Sequence, residues 1–219
     1  MSTKLMTALS FFAILLLLSG PAASLQEQWG SLSETEKNEV DLNRLQPPDK
    51  VMDAIGLKPG MVVGEIGAGA GRYTVHLAAR VGDAGKIYAN DIDENGLALI
   101  RERCRKYNIR NIETIRGTVE DPGFPKGSLD MAFMVYVYHH LDKPVPLMKK
   151  LIPALKSGGS VVIITGDPDK GHWTSLPHKE ELQRQFEEAG FELVRTETFL
   201  PRDYLLVLRP KASSNRASR

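Results

Sequence analysis

From Glu65 to Gly71 the chain reads Glu-Ile-Gly-Ala-Gly-Ala-Gly, an acid followed by glycines at alternate positions. The apolar run Met61-Val62-Val63 leads into it, and Val75, Leu77, Ala78, Ala79 and Val81 follow at helical spacing. That is a strand, a tight turn and a helix. Glycines at such a turn admit positive φ and let a ligand approach the backbone closely. The helix N-terminus behind them presents unpaired N–H groups, which suit an anion. Two phosphate-binding chemistries fail on spacing. The dinucleotide fingerprint needs a third glycine three residues after the second, and counting from Gly67 and Gly69 that position is Arg72. A P-loop needs Gly-Lys followed by Ser or Thr, whereas Gly85-Lys86 is followed by Ile87. A second group of reactive side chains, Tyr136, Tyr138, His139 and His140, closes the apolar stretch from Met131 to Val135. An imidazole titrates near neutral pH, so it can take a proton from a substrate. No His-Glu-x-x-His or spaced carboxylate triad is present, and no metal is expected. The single Cys104 excludes an internal disulfide and a Cys-rich metal site.

The elements that must carry these residues alternate along the chain. Residues 62–66, 86–90, 112–115, 129–135 and 161–165 read as strands, with the fourth apolar enough to be covered on both faces. Helical patterns cover 72–81, 94–106 (with Asp93 as cap), 144–155 and 179–189. Ser157-Gly158-Gly159 is expected to break the third of these, and Phe191–Glu197 and Tyr204–Leu208 are two final strands. Strands separated by helices predict an open α/β sheet with right-handed crossovers, whose ligands bind beyond the carboxyl ends of the strands.

With 219 residues and 42% hydrophobic content, one domain with a sizeable core is expected. The net charge of +1 gives no pull toward nucleic acid. Residues 1–24 stand apart. Lys4, the apolar run Phe11 to Leu18 and Ser19-Gly20-Pro21-Ala22-Ala23-Ser24 have the form of a signal peptide, or of an uncleaved membrane anchor. The expected product is therefore exported, or tied to a membrane through that segment alone. Residues 25–48 form a polar lead-in, with Ser33-Glu34-Thr35-Glu36 shaped like a capping box. A helix over 49–55 opens the main domain, 49–210, and 211–219 is a basic, Ser-rich tail.

From Arg44 to Leu208 the chain resembles the class I S-adenosylmethionine (SAM) methyltransferases. Acid-x-Gly-x-Gly-x-Gly at Glu65–Gly71 and Asp91 at the second strand's end carry the likeness. His140-Leu141 after the fourth strand is similar to the small-molecule branch typified by ubiquinone and menaquinone biosynthesis. The resemblance implies a Rossmann-like, mostly parallel seven-stranded sheet with helices on both faces and the last strand antiparallel. It implies SAM as cofactor and transfer of its methyl group, by in-line displacement, to a small molecule. Glu65 and the turn Gly67, Ala68, Gly69 and Gly71 would meet the amino-acid part, with its carboxylate near Arg72 and Tyr73. Asp91, with Ile92 beside it, would take the ribose, since a carboxylate can accept from two vicinal hydroxyls. Thr118, Val119 and Glu120 would lie along the adenine, with Thr118 where the family commonly has aspartate. Tyr136 would face the methionine part, Tyr138 and His139 the acceptor, with His139 as base; His140 is structural. His172 and Trp173 either close over the acceptor or are ordinary loop residues. The Asn/Asp-Pro-Pro-aromatic tetrapeptide of base-amino methyltransferases is absent. Two alternatives stay open. Leu57-Lys58-Pro59-Gly60 and Gly85-Lys86-Ile87-Tyr88 also resemble protein carboxyl methyltransferases of the isoaspartyl type, and an exported domain parted from cytosolic SAM would be a binding module without activity.

Overall fold

The computed structural model describes residues 34–171 and 175–212. The leader or anchor expected over 1–24, Ser33 of the capping box, His172 and Trp173, and the tail from 213 lie outside the described residues. Contacts divide the chain into two units, 1–41 and 42–219. Of the first, the described part is helical and belongs to α1 (Glu34–Leu45).

The second unit continues with α2 (Pro48–Ala54), β1 (Val62–Ile66), α3 (Arg72–Val81), β2 (Lys86–Asp91), α4 (Glu94–Lys106) and β3 (Ile112–Arg116). Then come β4 (Leu129–Val135), α5 (Pro144–Leu151), β5 (Leu155–Gly166), α6 (Lys179–Glu188), β6 (Phe191–Glu197) and β7 (Asp203–Pro210). The strands form one seven-stranded sheet in the order β3-β2-β1-β4-β5-β7-β6. β1 to β5 run parallel, and β7 lies antiparallel between β5 and β6. This is the expected architecture. The chain steps from β1 to β2 and β3 on one side, then returns to add β4 on the other, so the switch point lies between β1 and β4. Ile66 is level with Asn90 of β2 and Met134 of β4. Gly67, Asp91 and Val135 therefore leave the sheet side by side, where such folds bind ligands.

Alternation along β4 explains its apolar run. Met131 and Phe133 join Val51, Met52, Tyr73, Leu77 and Val81 on one face, whereas Ala132 and Met134 join Leu147, Met148, Leu151 and Phe186 on the other. The helix expected to reach residue 155 stops at Leu151. Pro153 has no N–H to donate and crowds the preceding turn, so Ile152–Ala154 tighten into a 3-10 turn and β5 starts at once. Ser157-Gly158-Gly159 then lies inside β5, as an irregularity in its pairing with β4 between Leu129 and Met131. Among the described residues, no helix is long and apolar enough to cross a membrane.

Candidate functional site

The turn after β1 is built from left-handed backbone, with φ of +69° at Gly67 and +54° at Gly69. The two positions differ in what a side chain would meet. A Cβ on Gly67 would lie 2.2 Å from Cγ2 of Val137, because the turns after β1 and β4 touch there. A Cβ on Gly69 would meet nothing within 4 Å and would project into open space. Gly71 caps the start of α3. Ala68 packs with Ala89, Leu97 and Ile100, and its N–H donates to the Asn90 carbonyl at 2.9 Å.

Glu65 ends the buried part of β1 and is only 4% exposed. Thr74, in the first turn of α3, donates its hydroxyl to Oε2 at 2.6 Å. Oε1 has no hydrogen-bond partner among the described residues. Burial pushes the carboxyl up to about 7, with Asp91 adding to the rise and Thr74 and Arg72 opposing it. A buried carboxylate oxygen left without a donor is costly, and a cationic ligand group would relieve it. Asp91 is half-buried and aimed at the turn. The Gly69 N–H donates to its Oδ2 at 2.7 Å and the Asp93 N–H to its Oδ1 at 2.9 Å. Each oxygen keeps a second lone pair for a hydroxyl. Asp93 caps α4 through the Asn95 N–H, as its position suggested. Ile92, beside Asp91, is 55% exposed, and Val119, in the loop after β3, is 50% exposed.

The loop after β3 is held from below. The Gly117 N–H donates to the Asp91 carbonyl, while the buried Asn90 amide donates to the carbonyls of Ile115 and Pro122. Thr118 accepts the Asp121 N–H at 3.0 Å, so its hydroxyl orders the loop itself. The Glu120 carboxylate is paired with Lys143.

At the other end of the site, Arg72 and Tyr73 are tied to the lead-in. Arg72 donates to Asn43 Oδ1 at 3.1 Å and to Gln46 Oε1 at 2.7 Å. Tyr73 can meet a ligand at the helix start through its backbone alone. Its side chain is 2% exposed, packs edge-on against Phe133 and donates its hydroxyl to the Gln46 carbonyl. Only its backbone lies at the helix start.

Tyr136, just past β4, has φ of +57°, rare for a residue with a side chain. Its hydroxyl donates to the Asp203 carboxylate, 2.9 Å from both oxygens, and burial and Asp203 push its ionisation well above the ordinary range. Tyr138 is a correction to the sequence-based expectation. It is 2% exposed, stacks edge-on against Phe186 and donates to Gln185 Oε1 at 3.0 Å, so its phenol lies in the core. His139 is half-buried, with Nδ1 2.9 Å from the Thr165 hydroxyl, and burial and the neighbouring His140 hold it below the usual histidine range. It is thus neutral near pH 7, and Nε2 carries the basic lone pair when Nδ1–H donates to Thr165. His140 is exposed. Among the described residues no cluster fit to hold a metal ion occurs.

Sequence patterns alone did not single out Asn90, Gln46, Thr165 or Asp203. A signal existed for two of them: Asn90 and Asp203 are polar residues inside or at the mouth of otherwise apolar strands. Glu65, Asp91 and the open face of Gly69 lie together at the carboxyl ends of β1 and β2, an arrangement suited to a ligand with an ammonium group and vicinal hydroxyls.

Comparison with known proteins follows the same lines. A family profile described as "Methyltransferase domain" matches residues 63–159. A demethylmenaquinone methyltransferase of Lactococcus lactis is 28% identical over 140 residues, which span 64% of this chain and 54% of that protein. One from Staphylococcus aureus is 25% identical over 184 residues, spanning 68% and 76%. A crystal structure of a SAM-dependent methyltransferase from Aquifex aeolicus superposes with a TM-score of 0.69 at 26% identity, covering 81% of this chain and 98% of that one.

Proposed function

We propose, from the premise that this chain belongs to the class I SAM-dependent methyltransferases, that it transfers a methyl group from SAM to a small-molecule acceptor. The observation that carries this is the buried Glu65 carboxylate, with Oε1 unpartnered among the described residues, beside a Gly69 turn that opens into empty space. SAM supplies the reactive methyl, held on a sulfonium and transferred in line to a nucleophile. The chain's residues do the placing. Glu65 pairs with an ammonium group, the turn from Gly67 to Gly71 admits the amino-acid part against the backbone, and Asp91 accepts from the ribose hydroxyls. Ile92 and Val119 offer apolar surface to the adenine. His139 takes the proton of an acceptor that must lose one, and Thr165 fixes its ring.

Calorimetric titration of the full chain with SAM and its demethylated product tests the cofactor half. Micromolar binding is expected, weakened about tenfold by Asp91→Ala through loss of the hydroxyl contacts. No binding by the wild-type chain would sink the proposal. The acceptor half is tested with labelled SAM, with demethylmenaquinone as the first acceptor to try because both named relatives carry that activity in their names. His139→Ala is expected to slow turnover at least about tenfold for an acceptor that must be deprotonated. Tyr138→Phe is expected to leave turnover unchanged and cost about 1 kcal/mol of stability, because it removes only a core hydrogen bond. The opposite ranking of the two variants would reverse these roles.

A further inference from the structure

Asp203 opens β7 and has no exposed surface at all. Its carboxylate accepts from two neutral donors, the Tyr136 hydroxyl at 2.9 Å and the Gln46 amide at 2.9 Å. No lysine, arginine or histidine is ion-paired with it among the described residues. The Lys170 ammonium donates to the Asp203 backbone carbonyl at 3.2 Å, not to its carboxylate, and Arg72 is linked to the carboxylate only through Gln46, whose Oε1 accepts from it. A carboxylate buried with only neutral partners is a standing cost, and a positive charge placed close by lowers it. Tyr136 joins this carboxylate to the end of β4, beside the turn after β1. Its backbone leaves β4 level with the turn after β1, and Val137, next in sequence, touches Gly67. The left-handed backbone at Tyr136 and the two contacts from its hydroxyl to Asp203 fix the ring there.

We propose that Asp203 is a positioning residue that acts through Tyr136, and that the pair makes the site prefer a positively charged methyl donor over its uncharged product. The inference rests on the cofactor assignment above and deepens it. The donor and the product differ at one sulfur, which is a cationic sulfonium before transfer and a neutral thioether after it. Groups that hold the amino acid, ribose and adenine cannot tell them apart. A buried negative charge, with an electron-rich phenol hydrogen-bonded to it, can: it favours the sulfonium and has no such attraction for the thioether. Product release is eased by the same arrangement.

The test is calorimetric titration of the full-length wild type, Asp203→Asn and Tyr136→Phe with SAM and with the demethylated product. Asp203→Asn keeps the volume and removes the charge. It is expected to weaken SAM about tenfold, as for the loss of one partly screened charge interaction, while product affinity stays within about twofold. Tyr136→Phe, which leaves Asp203 in place but unhinged from the ring, is expected to shift the ratio of the two affinities in the same direction and by less. It also keeps the inference testable if Asp203→Asn does not fold. A purely structural role would weaken both ligands together. Equal losses, or no loss in a folded variant, overturn the inference and leave the cofactor assignment standing. A wild type that binds neither ligand overturns both.

Discussion

Glu65→Gln is expected to abolish useful cofactor binding while making the empty protein more stable. The two effects have one cause. In the folded chain the Glu65 carboxyl is raised from 4.5 to about 7, chiefly by burial. The folded state therefore holds a proton that the unfolded chain releases between those values, and stability falls as pH rises through that window. Above pH 7 the full cost, on the order of 3 kcal/mol, is present. Glutamine keeps an oxygen for Thr74 and carries no charge. At pH 8 the variant's thermal midpoint is expected to lie about 5–10 °C above wild type, and at pH 5, where Glu65 is protonated, close to it. Binding moves the other way. Loss of a buried, charge-assisted contact to an ammonium group is expected to raise the SAM dissociation constant on the order of a thousandfold. For wild type, affinity falls as pH drops below about 7, and binding near pH 6 releases a proton. Calorimetry in buffers of different ionisation enthalpy reads that proton directly. A Glu65→Gln protein that binds like wild type would remove Glu65 from the site.

Gly67→Ala and Gly69→Ala are expected to fail in opposite ways, although the two residues lie two positions apart on one turn. Both glycines have positive φ, so alanine at either costs about 1–2 kcal/mol in backbone strain. At Gly67 the new methyl also collides with Val137, which brings the expected total to about 3 kcal/mol and lowers the melting midpoint clearly. At Gly69 the methyl points into open space, so the backbone strain is the whole cost and the protein still folds. That space is where the cofactor would lie, and SAM binding is expected to weaken at least about a hundredfold, which is about 3 kcal/mol. Thermal melts with and without SAM separate the two cases. Wild-type affinity in a folded Gly69→Ala protein would falsify placement of the ligand on this turn.

What the sequence disclosed was what chain neighbours decide. The strand–turn–helix around Glu65, the cap at Asp93 and the apolar β4 each follow from residues within a few positions of one another. Asp91 was named by the family resemblance, and the parallel register sets the end of β2 beside the end of β1. Tyr138 was misplaced because a 3-10 turn follows β4 at Tyr138–His140 and swings successive side chains to different sides, carrying the phenol into the core beside Phe186. For Tyr73 the sequence places the backbone at the helix start, whereas the burial of its ring against Phe133 depends on a distant strand. The part of Thr118 in its own loop, with Asn90 supporting that loop from below, had no sequence signal. The group around Asp203 could not be read at all. Gln46 and Asp203 are 157 residues apart, and no local pattern reports such a meeting.

That separation has a consequence for how the protein is made. By the time a ribosome has released the glycine turn, Asp91 and Tyr136, the partner that anchors Tyr136 has yet to be synthesised. β6 emerges before β7 yet belongs outside it, so it has no neighbour to pair with until β7 slides into place. A nascent chain halted near residue 200 would thus carry every glycine of the turn and still lack the charge behind Tyr136, with an open sheet edge at β5. Such chains are candidates for aggregation. SAM, by favouring the complete arrangement, would select finished chains over partial ones.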